Sequence, residues 1–252
     1  MTENSRVPTG FEPAPDLLRD RVVLVTGAGQ GLGRAVAIEA ARSGATVALL
    51  GRKQEKLEAT YDAITSVAGA EPAMIPLDLA AAGNAEFEAL VQLVRKDLKR
   101  LDAIVHCAAH FVPLSPLASQ TIEQWTVLLK VNLTAPFALT RACLPLLQAA
   151  RESSVVFVGE THGASPRAYW GGFAVAKSAL STLAAIWSQE LEHRGKPRMN
   201  VFIPGPIATP QRMQSHPGEN QARLRSAESA ARALLYLVGP DGAHFSGRTV
   251  GL

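Results

Sequence analysis

The segment Val22-Val23-Leu24-Val25-Thr26-Gly27-Ala28-Gly29-Gln30-Gly31-Leu32-Gly33-Arg34 sets an apolar run, a glycine-rich turn and a helix start in immediate succession. Glycines let such a turn fold tightly and let its amides, here those around Gly27, Gln30, Gly31, Leu32 and Gly33, approach a pyrophosphate. The helix N-terminus behind them supplies unpaired donors and partial positive charge. A strand before the turn and a helix after it are the context that binding a dinucleotide requires. The next apolar run ends at Gly51-Arg52-Lys53, and no Asp or Glu stands between Ala40 and Gln54. A carboxylate there would hold the ribose hydroxyl of NAD; two cations fit a 2′-phosphate, so NADP(H) is favoured over NAD(H). The alternative is that Arg52 and Lys53 merely open a solvated helix.

The elements that must position these residues follow from periodicity. Short aliphatic runs alternate with longer amphipathic ones, which predicts parallel strands joined by crossover helices. The strands are expected at Arg21–Thr26, Thr46–Leu50, Ala73–Leu77, Ala103–Cys107, Ser154–Val158, Arg198–Ile203 and near Arg248–Val250. Their nearly continuous apolar character suits a sheet covered on both faces. Helices are expected at Gly31–Ser43, Gln54–Val67, Asn84–Leu98, Glu123–Ala150, Gly172–Arg194 and Ala227–Val238, with Pro136 and Pro145 bending or dividing the longest. Pro204 to Asn220 reads as a mobile loop over a site. The expected fold is a doubly wound α/β three-layer sandwich on a mostly parallel seven-stranded sheet. Met1 to Pro15 would be an extension and Asp16 to Leu252 one domain.

Composition narrows the function. The 252 residues are 47% apolar and 19% charged, with a net charge of only +3 and no basic block, so nucleic acid is not an expected partner. The polar Met1–Pro15 segment lacks a signal or membrane stretch, which points to a cytoplasmic protein with no membrane partner. Cys107 and Cys143 lack metal-ligand spacing and are expected as thiols, with no metal site.

Several further motifs, taken in order, resemble the short-chain dehydrogenase/reductase family from about Asp16 to the C-terminus. Thr26-Gly27-x-x-x-Gly31-x-Gly33 is similar to its glycine motif, and Asp78-Leu79 to its adenine-contacting pair. His106-Cys107-Ala108-Ala109 is similar to its Asn-Asn-Ala-Gly run, although only the first Ala is retained. Val131-Asn132-Leu133 resembles its helix-kink asparagine, Lys177 its ribose-holding lysine, and Pro204-Gly205-x-Ile207-x-Thr209 the loop beside the nicotinamide. The resemblance implies a Rossmann-type fold, a nicotinamide cofactor, a small-molecule substrate, and a homodimer or homotetramer assembled through Leu128–Leu147 and Ala174–Leu191. It also implies that Asn132 and Lys177 hold a proton-relay water and the ribose.

The same resemblance exposes departures. The family carries a Tyr four residues before the lysine, where it exchanges a proton with the substrate oxygen; here that residue is Phe173, which shares a helix face with Lys177 and has no proton to give. Where the family has a substrate-orienting Ser, this chain has Glu160, in Val158-Gly159-Glu160-Thr161-His162. Glu160 is read as a replacement proton carrier, a salt-bridge partner of Lys177, or an exposed residue beyond a strand; a carboxylate buried alone is costly, so a cation is expected beside it. Thr161 offers a hydroxyl or caps amides. Tyr169 is expected to pack beside Trp170, and His110 and His162 to face solvent. Two functions remain: an NADP(H)-dependent oxidoreductase for a carbonyl/alcohol pair with an altered site, or a dinucleotide-binding sensor or structural partner that has lost its acid.

Overall fold

Alternating short apolar and longer amphipathic segments build a layered structure, described here for residues 6–252 by a computed structural model. The strands are β1 (Val22–Thr26), β2 (Thr46–Gly51), β3 (Ala73–Pro76), β4 (Ala103–His106), β5 (Ser154–Val158), β6 (Arg198–Ile203) and β7 (Thr249–Gly251). They pair in the order β3-β2-β1-β4-β5-β6-β7, and every pairing is parallel, where a mostly parallel sheet was expected. The chain leaves β1 in one direction and returns at β4 on its other side, so a crevice opens at the carboxyl ends of these two strands.

The helices are α1 (Gly31–Arg42), α2 (Gln54–Ala68), α3 (Asn84–Leu93), α4 (Ile122–Leu129), α5 (Ala135–Ala149), α6 (Thr161–Ala164), α7 (Gly171–Glu190), α8 (Pro210–Ser215) and α9 (Ala227–Val238). Successive strand residues serve opposite faces, as the period of two demands. Val23 and Val25 of β1 join a core with Val36 of α1 and Leu234 of α9; Val22 and Leu24 join another with Phe87 of α3, Leu139 of α5 and Leu180 of α7. Each such side chain removed from water contributes about 1.5–3 kcal/mol, which is why the run of buried β1 residues fixes its register.

The longest helical stretch corrects one expectation. It is interrupted by a π turn at Lys130–Thr134, centred on Asn132, and not by its prolines. Pro136 lies in the first turn of α5, where a missing amide costs little, and α5 runs on through Pro145. By length and composition Ile122–Ala149 could cross a membrane; in the fold Leu139, Cys143 and Leu147 are fully buried in the core. A second π turn, Val94–Leu98, ends the predicted Asn84–Leu98 helix.

The segment expected as a loop after Pro204 contains α8. Thr209 caps it by accepting from the Arg212 amide at 3.3 Å, Pro210 occupies its first turn, and Arg212 grips Glu219 through two bonds of 2.5 and 2.8 Å. Thr-Pro is a helix-start signal.

Candidate functional site

The glycine turn is built for close approach. Gly27 has φ +67°, and a Cβ on it would stand 2.8 Å from the Ala108 backbone. A Cβ on Gly33 would stand 2.3 Å from the Gly27 carbonyl oxygen. Only glycine at both positions lets α1 begin against the turn while the turn lies against the end of β4. Thr26 ties the two strand ends together by accepting from the Ala108 amide at 3.0 Å.

Two adjoining cavities follow this crevice. The larger, about 420 Å³, runs from Gln30, Gly31, Leu32 and Gly33 past Cys107, Ala108 and Ala109 to Glu160, Phe173 and Lys177, with Pro204, Gly205, Ile207 and Thr209 on its outer wall. The smaller, about 240 Å³, takes in Arg52, Lys53, Asp78 and Leu79. Gly27, Gln30, Arg52, Ala108 and Ala109 border both. An elongated ligand with anionic groups at its middle fits this path: amides and a helix N-terminus face the middle, and exposed cations flank one arm. Arg52 and Lys53 are both exposed, and Lys53 is also the N-cap of α2. Sequence reasoning missed Lys56, in the first turn of α2, which lines the smaller cavity and donates to the Gln30 side-chain oxygen. A third cation so soon after Arg52 and Lys53 was the available signal.

Asn132 does not reach either cavity. It is fully buried, its amide nitrogen donates to the carbonyls of His110 at 2.8 Å and Leu128 at 2.9 Å, and its oxygen accepts from the His110 amide at 3.1 Å. Its side chain therefore braces the loop after β4. His110 is correspondingly not a free surface histidine. It borders both cavities, and burial, followed by the charge of Arg52, holds its imidazole below the ordinary range. His106, deeper in β4, meets the Thr140 hydroxyl at 2.9 Å and stacks on Phe157; burial pushes it down to about 3, so it stays neutral.

At the far end, α7 carries Phe173 and Lys177 on one face. Phe173 is buried, and Lys177 lies 5.8 Å from the centre of its ring. The Lys177 ammonium donates to the Val158 carbonyl at 2.7 Å. Burial pushes Lys177 down to about 8, opposed by the charge of Glu160. The two form no ion pair, so the direct salt bridge considered from sequence is absent. Glu160 is the N-cap residue of α6 and lines the cleft, and Thr161 is the first residue of that helix and not its cap. Burial likewise raises the Cys107 thiol to about 12, which keeps it protonated.

The aromatic residues rearrange the expectations. Trp170 is buried with Phe111 and Phe173, whereas Tyr169, expected to pack beside it, has φ +75° and is 58% exposed. His162 turns inward: its ring lies 4.2 Å from that of Trp170, and its Nδ1 is enclosed without a partner. Phe111 had no sequence signal, because the loop carrying it lacks periodicity.

A parallel sheet of this order, a glycine turn at its switch point and a cleft running from that turn to an α7 lysine define a nicotinamide-type oxidoreductase architecture. Residues 21–220 match the short chain dehydrogenase family, and the chain belongs to it. Among its relatives is the uncharacterized oxidoreductase YciK of Escherichia coli K12, 35% identical over 239 residues that cover 95% of this chain and 94% of YciK. Two solved structures are similarly close. A short chain dehydrogenase from Escherichia coli CFT073 complexed with NADPH has 35% identity and a TM-score of 0.91, covering 95% of this chain and 99% of that one. One from Shigella flexneri 2a complexed with NADP has 34% identity and a TM-score of 0.91, covering 94% and 99%.

Proposed function

We propose that this protein is a cytoplasmic NADP(H)-dependent oxidoreductase that moves hydride between the nicotinamide and a carbonyl/alcohol-type carbon, in a site altered by Phe173 and Glu160. The observation that carries this reading is the continuous crevice from the Arg52 cations, past the glycine turn, to Lys177. The NADP and NADPH complexes of the two similar structures support the choice of cofactor. Bound there, the cofactor would supply the hydride chemistry.

The chain's own residues divide the remaining work. Arg52, aided by Lys53 and Lys56, would meet the 2′-phosphate; Gln30, Gly31, Leu32 and Gly33 the pyrophosphate; Asp78 and Leu79 the adenine. Cys107, Ala108 and Ala109 form the floor, and Pro204, Gly205, Ile207 and Thr209 would enclose the nicotinamide end. Lys177, already desolvated, would turn from the Val158 carbonyl to the ribose. Asn132 holds the floor loop in place through His110. Exposed Phe137, Val175 and Ile186 on α5 and α7 suit the homo-oligomer that the family resemblance implies.

The test is direct NADPH binding together with single-turnover hydride transfer to a panel of acceptors. Binding with transfer supports the reading. The second reading, a dinucleotide-binding protein without catalysis, is favoured specifically by the missing phenol at Phe173, and tight binding with no transfer to any acceptor would establish it.

A further inference from the structure

Three aromatic rings line one part of the larger cavity. Phe111 and Phe173 meet edge to face with centroids 5.2 Å apart, and Trp170 stands 5.9 Å from Phe111 and 6.1 Å from Phe173. Glu160 is the one carboxylate among the residues lining this cavity. None of its cations pairs with Glu160: Arg212 is held by Glu219, Lys177 donates to the Val158 carbonyl with its ammonium 5.8 Å from the Phe173 ring centre, and Arg52 lies where the two cavities join. Aromatic faces attract positive charge, and a carboxylate beside a water-poor wall strengthens that attraction.

A carbonyl acceptor fits this end poorly. Hydride addition to C=O leaves an alkoxide that must be protonated as it forms, and Phe173 has no proton to donate. The Glu160 carboxylate would also repel the developing oxyanion. A cationic acceptor reverses both objections, because its charge is attracted by the rings and the carboxylate before reaction and disappears during it.

We propose that the cleft is built for an iminium ion, the protonated or N-alkylated C=N counterpart of a carbonyl, bound by the Phe111–Trp170–Phe173 wall with Glu160 as its counter-charge. The proposal rests on the NADP(H) reading above. The iminium carbon gains a C–H bond using the electron pair of the reduced nicotinamide's C–H bond, which breaks. The C=N π pair becomes the nitrogen lone pair. The substrate is reduced to a neutral amine, NADPH is oxidised to NADP⁺, and no proton crosses from the protein. The balance also runs backwards, as oxidation of a neutral amine to an iminium ion.

The test uses the full chain with NADPH and a shape-matched pair of acceptors, N-methyl-dihydroisoquinolinium and tetralone, each corrected for its uncatalysed rate. The cation should be reduced with kcat/KM roughly a hundredfold or more above the ketone, and Glu160→Gln should lower that value about tenfold or more. A readout independent of turnover is calorimetric binding of N,N-dimethyl-tetrahydroisoquinolinium, a cation that cannot accept hydride. Its affinity should fall about tenfold in Glu160→Gln, while Glu160→Asp should retain much of it. Reduction of tetralone as efficient as that of the cation, or cation binding indifferent to Glu160→Gln, overturns this proposal and leaves the oxidoreductase reading standing. NADPH binding without hydride transfer to the cation overturns this proposal alone, whereas failure to bind NADPH overturns the NADP(H) reading and this proposal with it.

Discussion

Replacing Phe173 by Tyr adds one hydroxyl at the wall of the cleft, and its consequences follow from the surroundings of that ring. Phe173 is 2% exposed and its centroid is 5.8 Å from the Lys177 nitrogen, so the new phenol enters a dry site near a cation. A positioned general acid commonly contributes ~10²- to 10⁴-fold, equivalent to about 3–5 kcal/mol of barrier. The low end applies here, because Lys177 rests on the Val158 carbonyl and must turn to serve the phenol. We therefore expect Phe173→Tyr to raise tetralone turnover by about a hundredfold and to change that of N-methyl-dihydroisoquinolinium by less than about threefold, since the second reaction needs no proton. A buried hydroxyl without a partner costs about 1–3 kcal/mol, so a small drop in Tm should accompany the gain. The assay is stopped-flow loss of NADPH absorbance in the wild type, Phe173→Tyr, Glu160→Ser and the double variant. Glu160 and Lys177 form no ion pair, so the Tyr effect should persist in both backgrounds to within about 0.5 kcal/mol. A gain seen only in the double variant, or none at all with NADPH affinity retained, refutes the reasoning.

Three other outcomes are expected. Gly33→Ala forces a methyl to 2.3 Å from the Gly27 oxygen, so it should cost about 1–3 kcal/mol or more and weaken NADPH binding at least about tenfold; an unchanged melting curve and Kd would show that the turn yields freely. Arg52→Ala should weaken NADPH about 10- to 100-fold and NADH less than about threefold, the loss of one charge-assisted bond, with equal losses arguing against a 2′-phosphate at this site. For Lys177, folding lowers the pKa from 10.5 to about 8, so the unfolded chain carries the extra proton between those values and native stability rises with pH through that window. Lys177→Met should accordingly compare with the wild type more favourably at pH 7 than at pH 10.5, by about 3 kcal/mol in paired urea titrations. A difference that does not vary with pH would mean that the ammonium is not buried as described.

Where side chains report directly on burial, the fold was legible. The apolar runs at Ser154–Val158 and Arg198–Ile203 became β5 and β6 with the expected bounds, because strands covered on both faces admit little else. The π turns were not legible: an extra residue inside an amphipathic helix hardly disturbs its apolar stripe, and it shows only in how the backbone bonds close. For the same reason, the sequence pointed to Asn132 but not to its work on His110, which lies across a loop. In the cleft, the family resemblance pointed to Glu160, Phe173 and Lys177 together, and all three line one cavity. Which way Lys177 turned could not, since the Val158 carbonyl competes with Glu160 for it and only geometry decides between them. Tyr169 and His162 exchanged their expected exposures: Tyr169 stands at a positive φ and is exposed, while the His162 ring packs on Trp170.

The π turn at Lys130–Thr134 stores one residue more than an α-helix of the same length would hold. The surplus is taken up in a single wide turn, so α5 keeps Leu139, Cys143 and Leu147 on the sheet. Deleting one residue inside the turn closes it to an α turn and leaves that stripe facing the core; the cost falls on Asn132, whose grip on the His110 loop depends on the wide turn around it. A deletion within α5 itself has no such reserve and rotates the residues beyond it by about 100°. The length of this stretch is therefore dictated by the floor of the cleft and not by the core.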